Sequence, residues 1–159
     1  MNNVTIYGAG AIGGWIGAKL ALAGCAVSVV ARGETLAAVQ AQGLRLQTGD
    51  HTVAVPVRAS ADPATLGIQD LVVVAVKAPA MASVAQAIGP LLGPDTVVLT
   101  AMNGVPWWFF EGFGGALAGT RLRPVDPDGA IARAIPGRQI VGCVVHASCS
   151  LNGPGHVKQ

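Results

Sequence analysis

The chain has 159 residues, enough for one domain with one substantial core. Apolar residues make up 52% of it and charged ones only 11%, which suits strands buried on both faces and excludes a disordered, highly charged segment. The net charge is +2 with no basic run, which argues against a nucleic-acid-binding surface.

In chain order, Val4-Thr5-Ile6 mark a first strand, Asn3–Tyr7. It runs into Gly8-Ala9-Gly10-Ala11-Ile12-Gly13, after which a helical pattern covers residues 12–23 and Gly24 supplies its stop. A G-x-G-x-x-G that closes a strand and opens a helix is a dinucleotide-binding turn. Gly8 permits the tight turn, Gly10 lets a pyrophosphate approach the backbone, and Gly13 lets the helix pack against its strand. The unpaired amides of Ala9–Gly13 and the positive end of the helix dipole then hold the phosphates. Residues 11–31 are apolar enough to resemble a membrane span, but Lys19 interrupts them and the glycines fit the turn, so no membrane segment is expected.

The second strand is Ala26–Val30, followed by Ala31-Arg32 where an NAD enzyme carries an acidic residue for the ribose. A guanidinium there pairs with a 2′-phosphate, so the pattern favours NADP over NAD. Glu34 is the competing group, read as a solvent-facing residue in the first turn of a helix over 34–42, closed by Gly43.

Residues 44–47 and 52–55 flank Thr48-Gly49-Asp50 as a hairpin, and Asp62-Pro63 marks a turn or helix start. The apolar run 71–76 is the best central parallel strand. A helix over 80–88, a strand over 96–99, a helix from Pro106 through 107–110, a short helix over 129–134 and a strand over 140–146 complete the alternation. Residues 154–159 read as the start of a strand without a partner, which would leave an apolar face open and favour a homo-oligomer. The expected fold is α/β: a Rossmann-type doubly wound, mostly parallel sheet with helices on both faces, in one domain over 1–159.

Several features point to packing rather than chemistry. Cys25, Cys143 and Cys149 are odd in number and lack CxxC spacing, so they read as thiols of a reducing cytoplasm. Residues 1–8 lack the features of a signal peptide, and a cytoplasmic location follows. Asp126-Pro127-Asp128-Gly129 lacks the ligand spacing of a calcium loop, so no metal site is expected. His51, His146 and His156 read as packing or solvent-facing groups. Of the aromatic run Trp107-Trp108-Phe109-Phe110, a helix could turn only part inward.

With these residues in place, the chain resembles the N-terminal half of the ketopantoate reductase (2-dehydropantoate 2-reductase) family. The matches are GAGAIGG at 8–14, VVAR at 29–32, VAVKA at 74–78 and MNGV at 102–105. The resemblance implies a Rossmann NADP domain followed by an all-helical domain, and NADPH reduction of a 2-oxo acid to pantoate on the route to coenzyme A. It places Lys77 beside the cofactor, Asn103 against cofactor and substrate, and, more loosely, Ser148 at the cofactor. The general-acid lysine of the family belongs to the helical domain, so little turnover is expected from these residues alone. A related NADPH-dependent reductase of another branched 2-oxo acid, and a non-catalytic NADP(H)-binding module, stay open at this point.

Overall fold

The computed structural model of the protein describes residues 2–112 and 114–159. Its main sheet has six parallel strands: β1 (Asn3–Tyr7), β2 (Ala26–Val30), β5 (Arg58–Ser60), β6 (Leu71–Val74), β7 (Val97–Ala101) and β8 (Ile140–Cys143). The spatial order is β5-β2-β1-β6-β7-β8, that of a Rossmann sheet. The order reverses between β1 and β6, so the glycine turn after β1 opens at the switch point, where α/β sheets bind ligands.

Strand alternation makes two cores. Val4, Ile6, Val27 and Val29 face the side of α1 (Ala11–Leu22) and α2 (Gly33–Gln42). Tyr7, Val30, Val72 and Val74 face the side of α3 (Met81–Ala87) and α4 (Ala130–Ala134). Helices therefore cover both faces, as the alternating pattern predicts.

A second sheet, of order β4-β3-β10-β9, covers the outer side of α1. The expected hairpin supplies β3 (Leu44–Thr48) and β4 (His51–Val55), and the chain end supplies β9 (Ser150–Gly153) and β10 (His156–Lys158). The expectation of an unpartnered final strand is thereby corrected. β10 pairs in parallel with β3 and antiparallel with β9, and Val157 is buried against α1. Its partner lies more than a hundred residues earlier, a non-local pairing that local pattern does not encode, and the argument for self-association built on an open strand falls with it.

α1 explains why so many glycines sit in one helix. Its outer side meets the second sheet and its inner side meets the first, so neither tolerates bulk. A β-carbon at Gly17 would lie 2.8 Å from Ile6 of β1 and 3.0 Å from Leu44 of β3, and one at Gly14 2.7 Å from Val157. The helix is therefore apolar on both covered sides, while Lys19 in its last turn stays exposed.

Three further boundaries differ from the sequence reading, each for a packing reason. The run 71–76 is a strand only to Val74, because β1, its neighbour, turns away after Tyr7. The run 140–146 is a strand only to Cys143, which pairs with Ala101, the last residue of β7. Residues 107–110 form turns rather than a helix, with Phe109 N–H donating to Pro106 and Glu111 N–H to Trp108. Only Trp107 of that aromatic run is deeply buried, while Phe109 stays 41% exposed. Asp126 is the unforeseen core group: its carboxylate is buried and accepts from the Ile131 and Ala132 amides at 3.1 and 3.0 Å, capping α4.

Candidate functional site

The glycine turn is built by close approach. Gly8 has φ +97°, open to glycine without strain, and its N–H donates to Val30 at 3.1 Å. A β-carbon on Gly8 would stand 2.7 Å from Val76, and one on Gly13 2.0 Å from the Gly8 carbonyl oxygen. Above Gly10 there is open space, with nothing within 4 Å of the place a β-carbon would take. Gly8 thus serves the turn, Gly13 the close packing of α1, and the space above Gly10 is open.

The start of α1 carries no side-chain cap and no acidic residue in its first turn. Its first amides have no intrahelical partner, so they and the helix dipole face this approach with their positive ends. An anionic group of modest size suits the place, and a diphosphate fits the donors present.

Two clefts meet at this turn, sharing Gly8, Gly10 and Val76. The first, of about 310 Å³, runs toward the end of β2 and is lined by Arg32, Thr35, Tyr7 and Ser83. Arg32 is the residue before α2 and is exposed, so its guanidinium can turn to the cleft. Glu34 is exposed in the first turn of α2 and does not line the cleft. The second cleft, of about 600 Å³, runs toward β7 and β8 and holds Lys77, Asn103, Met102, Val145 and Ala147 with Ala11 and Ile12. Of the sequence-derived residues of the turn, Ala9 lines the first cleft, Ala11 and Ile12 the second, Gly8 and Gly10 both, and Gly13 neither.

Lys77 sits three residues past the end of β6, at the start of a short 3-10 turn, with its side chain exposed at the cleft wall. Asn103 is placed by an unforeseen pairing. Its Oδ1 accepts from Val145 N–H at 2.9 Å, and its Nδ2 donates to the Val145 carbonyl at 3.4 Å. One amide proton and one lone pair remain for a ligand. Ser148 is exposed and does not line the second cleft; Ala147 takes that place. The histidines line neither cleft.

Sequence reasoning missed Tyr7, Thr35, Ser83 and Val145. Thr35 could have been found as the hydroxyl in the helical turn after Arg32. Ser83 and Val145 carry no local signal, because they reach the clefts only through the packing of α3 and the end of β8.

A protein-family model for ketopantoate reductase PanE/ApbA matches residues 4–107. The chain belongs to the ketopantoate reductase family. Among its relatives, a 2-dehydropantoate 2-reductase of Mesorhizobium japonicum is 50% identical over 157 residues, covering 98% of this chain and 48% of that protein. A candidate ketopantoate reductase structure from Ralstonia solanacearum MolK2 is 57% identical with a TM-score of 0.95, over 99% of this chain and 49% of that one. A PanE/ApbA-family ketopantoate reductase from Ralstonia eutropha JMP134 is 33% identical with a TM-score of 0.75, over 98% and 45% of the two chains. The chain therefore spans about half the length of the ketopantoate reductases it matches.

Proposed function

We propose that residues 1–159 form the NADPH-binding domain of a 2-dehydropantoate 2-reductase. The observation that carries this reading is the pair of clefts joined at the uncapped glycine turn. A dinucleotide has the same plan: two nucleosides joined by a diphosphate. The Gly10–Gly13 amides hold the diphosphate, Arg32 pairs with the 2′-phosphate of the adenosine half, and the nicotinamide half enters the second cleft.

When bound, NADPH supplies a hydride to the carbonyl carbon of a 2-oxo acid. Lys77 offers a positive charge at the second cleft for phosphate or substrate carboxylate, and the free valences of Asn103 orient a ribose or substrate hydroxyl. The alkoxide formed needs a proton, and no histidine lines this cleft to give one. The family resemblance assigns that proton to a lysine of the helical domain. These 159 residues alone therefore bind cofactor and turn over little or none.

Titration with NADPH and NADH, followed by tryptophan fluorescence (Trp15 stands on α1 just past the turn), tests the reading. NADPH binds the tighter of the two; absent binding, or equal affinities, overturns it. A ketopantoate reduction rate near that of an ordinary dehydrogenase overturns the proposed lack of turnover by these residues alone.

A further inference from the structure

Tyr7 ends β1, directly before the glycine turn, and is the only tyrosine of the chain. Its side chain is 6% exposed and packs in the core with Val30, Met81 and Val84. Its hydroxyl oxygen is buried and has no hydrogen-bond partner among the described residues. Buried hydroxyls nearly always find a partner, because water is lost and must be replaced. Phenylalanine would fill the same core space without an orphaned oxygen. Tyr7 also lines the first cleft, together with the apolar Val76 and Ala80. Burial pushes its phenol up from the ordinary range, against the pull of the Arg32 charge, so the hydroxyl is a neutral donor at neutral pH.

We propose that the Tyr7 hydroxyl is the hydrogen-bond partner of the adenosine unit, base or ribose, of the bound dinucleotide. This rests on the dinucleotide reading above and adds to it a group that recognises adenosine itself, where Arg32 recognises only the extra phosphate. The cleft walls supply apolar contact for a base, and the orphaned hydroxyl supplies the directional bond that orients it.

Calorimetric titration of wild type and Tyr7→Phe with NADPH, NADH and 5′-AMP tests this. Tyr7→Phe weakens all three by about fivefold to tenfold, the worth of one hydrogen bond, and leaves the NADPH-to-NADH ratio unchanged. A second measurement needs no variant. Wild-type protein labelled at the hydroxyl-bearing ring carbon of tyrosine gives a single resonance, from Tyr7, which moves on adding 5′-AMP and stays put with nicotinamide mononucleotide. A Tyr7→Phe protein that binds all three ligands as wild type does, a loss confined to NADPH, or a resonance indifferent to 5′-AMP overturns the proposal. Wild type that binds no dinucleotide instead overturns the reading on which it rests.

Discussion

The side chain of Asn103 binds the backbone of Val145 at both ends, accepting at 2.9 Å and donating at 3.4 Å. β7 and β8 have stopped pairing by this point, so a side-chain amide continues the ladder where the backbone no longer does. The wall of the second cleft formed by Val145 and Ala147 hangs on it. Asn103→Ala removes both bonds, lowering stability by about 1 kcal/mol at this exposed site. Hydrogen exchange at the Val145 amide accelerates in the variant; unchanged exchange would show that the segment holds itself.

Arg32→Ala separates recognition of the 2′-phosphate from recognition of the rest. A lost charge-assisted pair with the phosphate weakens NADPH binding by roughly tenfold to a hundredfold, with NADH affected little. Parallel loss for both ligands in a titration contradicts the role given to this guanidinium.

Gly13→Ala tests the close approach at the turn. The added methyl meets the Gly8 carbonyl oxygen at 2.0 Å, a backbone atom with no rotamer to yield, so α1 must shift. The cost in stability is about 1–3 kcal/mol, measured by chemical denaturation. Dinucleotide affinity is expected to fall with it, because the displaced amides are those proposed to hold the diphosphate.

Acid sensitivity has a local source in Asp70. Backbone N–H groups of Asn2 and Asn3 donate to its carboxylate at 2.8 and 3.1 Å and hold its pKa below the ordinary value. A carboxyl depressed in the folded state adds stability that is fully present above the unfolded value of about 3.9, and that is lost as pH falls below it toward the folded value. Asp70→Asn flattens this part of the curve of melting temperature against pH. The same acid slope in the variant would assign the effect elsewhere.

Asp126→Ala uncaps α4 and leaves the Ile131 and Ala132 amides without their acceptor in the core. We expect a loss of about 2 kcal/mol in denaturant unfolding, with cofactor affinity unchanged, since the helix lies away from both clefts.

How much was legible in the residues follows from how local each signal is. The Gly8–Gly13 turn, Arg32 after β2, the doubly wound alternation and the hairpin are short-range patterns, each set by backbone sterics or by burial on a strand or helix period. They determined the fold class, and with it the expectation of where a phosphate would sit, without any knowledge of packing. The tertiary structure alone decided what lies far apart in the chain. It seated β10 on β3, ended β6 and β8 where their neighbours end, tied Asn103 to Val145, put Ala147 rather than Ser148 at the cleft, and buried the Tyr7 hydroxyl without a partner. Strand pairing and side-chain contacts between distant segments depend on which surfaces meet, and a one-dimensional pattern carries the preference of each surface but not its partner.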